Sequence, residues 1–349
     1  MAALYITSTE SSGKTTLGAS LGRKLIQHGT KVGFMIPVRI VEDGNQASCA
    51  DATFYKDAFS LIEPEESICP VRLSRGELSK TLSEEPSKLT QNIKQAYQKI
   101  SSGKDIVIME GLGNLSDKIS TAVCYAIADA IGAGVIVILN YDASSAVAHV
   151  VAMNKKIKLL GVVANLVPNS KIEKVKKQMV DSLGKAGIKL LGVLPEVRGL
   201  LGVTVGELAG ALGGDIISSS DKTEELVENI MVGAMTVDSG LTYFNRKENK
   251  AVVIRGERLD MQLAALQTPT KCLIITNGGK PSPSIVAQAQ EKQVPIITVK
   301  QDTAATIDGI EKALAEASFR NPQKLEIFDK VLGNYFDFET FYSLLGLKA

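Results

Sequence analysis

Short apolar runs recur along the chain, separated by longer segments whose apolar positions return every three or four residues. Runs at 3–8, 31–37, 105–110, 134–140, 160–166 and 190–194 are continuous rather than alternating, which predicts strands of a parallel sheet covered on both faces. The segments 14–28, 89–101, 120–131, 143–157 and 171–186 carry the helical period. Strand–helix repetition of this kind predicts right-handed crossovers and a doubly wound, mainly parallel α/β sheet.

The pattern falters after a helix at 204–212. Gly213-Gly214 follows, then Ser218-Ser219-Ser220, with Asp221 placed to cap a new helix. This predicts a domain at 1–214 and a smaller α/β domain at 216–317. The strands of the second fall at 250–254, 272–276 and 295–299, and its helices at 259–267 and 284–293. The last segment, 318–349, holds seven of the chain's seventeen Phe and Tyr, six of them from Phe328 to Tyr342, so it is expected to be a helical tail packed on a core.

Composition narrows the function classes. The 349 residues carry 39 Lys+Arg against 38 Asp+Glu, a net charge of +1 that offers no general attraction to nucleic acid or an anionic membrane. Aromatic residues are only 5%, with no Trp, which argues against a base-stacking platform. Cys49, Cys69, Cys124 and Cys272 form no CxxC pair and read as small buried hydrophobes of a reducing compartment. The amino-terminal apolar run lacks a basic lead and reaches Gly13-Lys14 at once, so it reads as a strand rather than a signal peptide. No apolar stretch approaches the ~20 residues that span a bilayer. A cytoplasmic protein is expected.

The most specific motif is ITSTESSGKTT, residues 6–16, between a predicted strand and a predicted helix. That context is what a phosphate-binding loop requires. Gly13 allows close backbone approach, and the amides from Glu10 through Ser11 and Ser12 to Thr15 would surround a phosphate at the positive end of the helix dipole. Thr9 and Thr16 flank the cradle. Lys14 offers a charge to the β- and γ-phosphates, and the Thr15 hydroxyl is a candidate Mg²⁺ ligand. Ser8 stands where the first Gly of GxxxxGK[ST] would be.

A partner motif, DIVIMEGLGN at 105–114, ends an apolar strand in an acid. Glu110 is the candidate second metal ligand, and Gly111 and Gly113 would let the turn pass near phosphate; Glu110 as a cap of that turn is the alternative. A third strand, within LLGVVANLVP at 159–168, ends in Asn165. Its amide could read an adenine edge or simply make a turn.

These motifs resemble the branch of P-loop proteins that contains the dethiobiotin synthetases and cobyrinic acid a,c-diamide synthases, over residues 1 to about 212. The shared marks are Thr7, Thr9, Glu10 and Gly13 to Thr15; Glu110 to Gly113; Val163 to Asn165; and Gly192 to Pro195. The resemblance implies ATP and Mg²⁺ as cofactors and nucleotide contact at Asn165. Residues 216–317 resemble the DRTGG domain through 256–266, 272–283 and 294–303. The two in this order are similar to the N-terminal regulatory portion of long bacterial phosphotransacetylases, and no acetyltransferase module is expected within this chain.

Departures from the family pattern set the functional expectation. Ile36 occupies the place of the Lys in the family's Lys-Pro-Val, leaving Arg39 either to replace that catalytic charge or to stand as a surface cation. Asp51 lies where family members place a second acid near Mg²⁺, or else caps a helix. Neither His28 nor His149 lies near the late Cys272, which excludes a Cys–His glutaminase. Glu257, Arg258 and Asp260 read as a salt-bridged cluster rather than a catalytic one, and Gly278-Gly279 as a turn with amides free for an anion. The expectation is therefore a Mg-ATP-binding regulator that acts on a partner protein or sister subunit in a homo-oligomer. The alternative is an ATP-dependent ligase that activates a small carboxylate or carbamate, with Lys14 and Arg39 as its catalytic cations.

Overall fold

The computed structural model describes residues 1–9, 13–42, 49–115, 117–141, 144–235, 237–315, 317 and 319–347, without the side chains of 144–146, 237 and 238. The described chain forms two compact units, one of residues 1–196 with 320–349 and one of residues 197–319.

The first unit begins with β1 (Ala2–Ser8), α1 (Lys14–Gln27) and β2 (Val32–Met35). An insertion follows: β3 (Val38–Ile40), α2 (Ala50–Phe59), α3 (Glu65–Ile68), β4 (Val71–Leu73), α4 (Arg75–Glu84) and α5 (Pro86–Ser101). Then come β5 (Ile106–Glu110), α6 (Lys118–Ile131), β6 (Gly134–Asn140), α7 (Ser144–Met153), β7 (Leu159–Val167), α8 (Ile172–Gly184) and β8 (Leu190–Pro195).

Six strands form one sheet in the order β2-β5-β1-β6-β7-β8, every pairing parallel. The buried runs Val107–Met109 and Val135–Leu139 lie mid-sheet, explaining why the pattern is continuous rather than alternating. The chain winds one way from β1 to β2 and the other way from β6 outward. The crevice where winding reverses therefore opens at the carboxyl ends of β1, β5 and β6, where parallel sheets of this kind take ligands. The inserted strands β3 and β4 pair only with each other.

The second unit contains α9 (Arg198–Leu201), β9 (Val203–Thr204), α10 (Val205–Leu212), β10 (Asp215–Ser218), β11 (Leu226–Val227), β12 (Asn229–Val232) and α11 (Val237–Phe244). It continues through β13 (Lys250–Arg255), α12 (Leu259–Leu266), β14 (Thr270–Thr276), α13 (Pro283–Glu291), β15 (Ile296–Thr298) and α14 (Thr303–Ala315). Its sheet runs β10-β15-β14-β13-β12, with β10 antiparallel to β15 and the rest parallel.

The residues 197–214, expected in the first domain, fold with the second unit. β9 pairs with β11, and Leu208, Ala209 and Leu212 of α10 share a core with Ile297 and Ile310. Asp221 does not cap a helix; it sits in a single 3₁₀ turn, Ser220–Lys222, before the chain extends into β11.

The chain then returns to the first unit as α15 (Pro322–Tyr335) and α16 (Phe338–Leu345). Phe328, Phe336, Phe341 and Tyr342 of this segment are buried. Phe336 bridges to Gly192 of β8, and Asp329 of α15 bonds Ser20 and pairs with Arg23 of α1. Among the described residues no helix is long and apolar enough to cross a membrane.

Candidate functional site: a polyanion cradle at the end of the first strand

β1 delivers Thr7, Ser8 and Thr9 into the crevice, all buried. Gly13 opens α1 at φ 87°, a left-handed conformation natural to Gly; a Cβ there would lie 2.9 Å from the Asn165 amide nitrogen. The Lys14 ammonium reaches back to donate to Ser8 Oγ at 3.3 Å, so the residue in the place of the first Gly positions the lysine. Thr15 Oγ1 donates to Glu110 Oε1 at 2.8 Å. Glu110 therefore faces the loop rather than capping its own turn. The hydroxyls of Thr9 and Thr16 are buried without a hydrogen-bond partner among the described residues. Glu10, Ser11 and Ser12 lie outside the described residues.

The Glu110 turn is held by main-chain bonds. Thr7 Oγ1 donates to Leu112 O at 3.0 Å, and the Leu115 amide donates to Ser8 O at 3.0 Å. The Gly111 amide donates to Ile6 O at 2.8 Å, so it is not available to a phosphate. The close approach belongs to Gly113 instead, where a Cβ would stand 2.5 Å from Lys14 Nζ.

α2 supplies the opposite wall. Asp51 lies in its first turn, but the N-cap is Cys49, so Asp51 is not the cap. One turn along, the Tyr55 hydroxyl stands 2.8 Å from Thr15 O and 2.9 Å from Glu110 Oε2. Its ring stacks on Phe34 of β2 at 3.4 Å. Burial, and then the Asp51 charge, push the Glu110 carboxyl up to about 7, against the pull of Lys14, Thr15 and Tyr55. Burial, together with the Glu110 charge, likewise raises the Tyr55 hydroxyl well above its ordinary value. Asp51 itself pairs with Arg320, Nε to Oδ1 at 2.6 Å. Among the described residues no group of three or more His, Cys, Asp or Glu could hold a metal. A divalent ion here would instead rest on a threonine and the Glu110 and Asp51 carboxylates.

A strand and a helix that bring a lysine and an acid-paired threonine together at the carboxyl edge of a parallel sheet are the build of a nucleotide-binding fold. Residues 2–203 match the AAA domain, and residues 207–313 match the DRTGG domain. The chain belongs to the AAA domain family. It is also 23% identical over 346 residues to the phosphate acetyltransferase of Nitratidesulfovibrio vulgaris (strain Hildenborough), covering 92% of this chain and 48% of that protein. The chain thus spans about half the length of the curated relative it matches. A P-loop domain followed by a DRTGG domain, shared with a phosphate acetyltransferase, is the architecture the motifs pointed to.

Among solved structures, the MinD cell division protein of Aquifex aeolicus is 19% identical over 58% of this chain and 85% of that one, with a TM-score of 0.35. The CBS and DRTGG domains of the regulatory region of Clostridium perfringens pyrophosphatase, complexed with diadenosine tetraphosphate, are 18% identical over 44% of this chain and 74% of that one, with a TM-score of 0.29.

The remaining expected residues fall in other places. Asn165 of β7 is buried and pairs across the sheet with Asn140, its amide beside Gly13. Ile36 is buried, its amide donating to Ile68 O at 2.7 Å. Arg39 lies on the β3–β4 side, near enough to Cys49 and Glu65 to lower both, and Glu65 bonds Arg72 and the Cys49 amide. The Cys69 thiol, followed by the Ala52 amide and Arg39, lowers the Cys49 thiol below its ordinary value against the effect of burial. All four cysteines are buried and free.

In the second unit, Arg258 forks onto Asp260, Nε to Oδ1 and Nη2 to Oδ2 both at 3.0 Å, and Arg255 pairs with Glu257 at 2.7 Å, as the salt-bridge reading expected. The amides expected to be free are occupied. Asn277 donates to Gln301 O, Gly278 to Val299 O and Gly279 to Thr276 O. That turn is therefore no anion nest.

Tyr55 and Arg320 are the two site residues the sequence reading missed. Tyr55 had a signal, an aromatic one helical turn after Asp51. Arg320 had none, since its partner lies 269 positions away.

Proposed function

We propose that the first unit binds Mg-ATP and that the chain is a nucleotide-dependent regulator, related to the N-terminal regions of long phosphotransacetylases, whose DRTGG unit relays the nucleotide state to a partner. The supporting observation is the pairing of Lys14 with Ser8 and of Thr15 with Glu110, beside the buried hydroxyls of Thr9 and Thr16, which have no partner among the described residues. Buried hydroxyls without partners are costly unless a ligand satisfies them, and a phosphate oxygen does so. Thr15 and Glu110, with Asp51 opposite, are hard oxygen donors suited to Mg²⁺. Bound there, the ion would neutralise charge on the β- and γ-phosphates. Lys14 would hold those phosphates, and Asn165 would lie toward the base.

Sensing is favoured over phosphoryl transfer to a carboxylate. The family's lysine position is a buried isoleucine, and Arg39 lies beside Cys49 and Glu65 on the β3–β4 side, with no hydrogen bond to a described cradle residue. The deciding experiment is calorimetric titration of the full chain with ATP and MgCl₂, paired with a thermal shift. Heat and a raised Tm are expected for the native sequence, and both are lost in Lys14→Ala. Neither signal at millimolar nucleotide would overturn the reading. ADP release should not be accelerated by added carboxylates or amines.

A further inference from the structure

The sequence leaves the cradle one cation short. Ile36 is apolar and Arg39 lies beside Cys49 and Glu65, so Lys14 stands alone among the expected charges. The structure brings a different cation to the same place. Arg320 is the first residue of the segment that returns from the second unit, and its guanidinium holds Asp51 at 2.6 Å.

Asp51 and Tyr55 are four residues apart on α2 and so share one face of that helix. Tyr55 touches Thr15 and Glu110, which places the Asp51–Arg320 pair about one helical pitch, roughly 5.4 Å, along that wall. Arg320 lies close enough to feel the charges of both Glu110 and Cys49.

Its position is built rather than incidental. Asn321 caps α15 by accepting from the amides of Gln323 and Lys324, and Pro322 starts the helix. α15 is then fixed to the phosphate-loop helix through Asp329 with Ser20 and Arg23. The arginine side chain remains 42% exposed, so solvent and a ligand can reach it while it holds Asp51.

We infer that Arg320 is a polyphosphate-binding residue that favours a nucleoside triphosphate over a diphosphate, donated to the cradle in cis by the returning segment. This rests on the Mg-ATP reading above. Were Lys14 to hold the β-phosphate and Thr15 and Glu110 the metal, the Asp51–Arg320 pair on the facing wall would be left to the terminal phosphate. A guanidinium there can fork onto two of its oxygens.

The test compares Mg-ATP and Mg-ADP by calorimetry in the full-length native chain and in Arg320→Gln, Arg320→Lys and Lys14→Ala, each checked for an unchanged circular dichroism melt. Arg320→Gln is expected to weaken Mg-ATP by about tenfold and Mg-ADP by less than about twofold, with Arg320→Lys between. Should Arg320→Gln melt early, the Arg320→Lys ratio of the two affinities decides alone. Equal loss for both nucleotides, or no change in either, overturns the inference while leaving the nucleotide reading intact. Tighter Mg-ATP binding also overturns it and marks the arginine as a plug on Asp51. If the native chain binds neither nucleotide, the nucleotide reading fails and the inference with it.

Discussion

The Tyr55 hydroxyl lies 2.9 Å from Glu110 Oε2, tying the α2 wall to the acid at the end of β5. The same hydroxyl reaches the Thr15 carbonyl at 2.8 Å, while its ring stacks on Phe34. Tyr55→Phe keeps the ring and removes the bonds. Leaving a buried carboxyl and a helix carbonyl short of a partner should cost about 1–3 kcal/mol. Urea unfolding followed by circular dichroism measures this, and nucleotide affinity should fall with it because Thr15 and Glu110 lose their shared anchor.

Glu110 carries a pH signature. Its folded pKa, about 7, lies above a glutamate's ordinary 4.5, so its protonated form is favoured in the folded state. Its contribution to stability is full below the unfolded pKa and is lost as pH rises from about 5 through 7. Metal binding has the opposite sign, because only the carboxylate is a ligand. Mg-ATP affinity should therefore rise between pH 6 and 8, in about the range where Glu110 ionises. Calorimetry across that range should show the rise in the native chain and its loss in Glu110→Gln.

Gly113 separates binding from folding. An added Cβ would meet the far end of Lys14, a flexible side chain that can move aside. Gly113→Ala should shift Tm by no more than about 2 °C, because no packed core group is displaced. It should weaken polyphosphate binding by about tenfold or more, since it pushes the ammonium out of the cradle. Thermal melts and nucleotide titrations on one preparation give both numbers.

What the sequence could reveal followed from how local each signal was. β1, Gly13, Lys14 and Thr15 are contiguous, and Glu110 ends a buried run of its own, so period and motif sufficed to find them. The insertion between β2 and β5 was opaque. Its strands β3 and β4 are three residues each, too short to show a period, and they pair only with each other. The early domain boundary was hidden for a similar reason: residues 203–204 join the second unit through a two-residue pairing with β11. Gly278-Gly279 reads as an anion nest because nothing in the local sequence shows that the Val299 carbonyl takes the Gly278 amide and the Thr276 carbonyl the Gly279 amide. Arg320 belongs to the same class, being defined only by a tertiary contact with Asp51.

In the second unit, Gly256 and Gly279 press backbone on backbone. A Cβ on either would lie about 2.5 Å from the other's Cα, at 2.5 Å for Gly256 and 2.4 Å for Gly279. Neither neighbour is a side-chain end that can rotate away, so the turns before α12 and α13 would have to part. Gly279→Ala should destabilise this unit by about 1–3 kcal/mol. Hydrogen exchange should show faster opening confined to 197–319, with protection of the first unit's sheet unchanged.

The aromatic tail makes the strongest stability claim for the first unit. Phe341 is fully buried, edge-on to Phe336 at 5.4 Å and beside Tyr342, which in turn meets His28 at the end of α1. Phe341→Ala removes a ring that no neighbour can replace, and large-to-small changes of this kind cost about 3–5 kcal/mol. Because α15 and α16 pack with residues 1–196 rather than with the second unit, the loss should appear in the melting of the nucleotide-binding unit. Mg-ATP should then raise the Tm of the variant as it raises that of the native chain. A variant whose destabilised transition ignores nucleotide would place the tail outside the unit that carries Lys14.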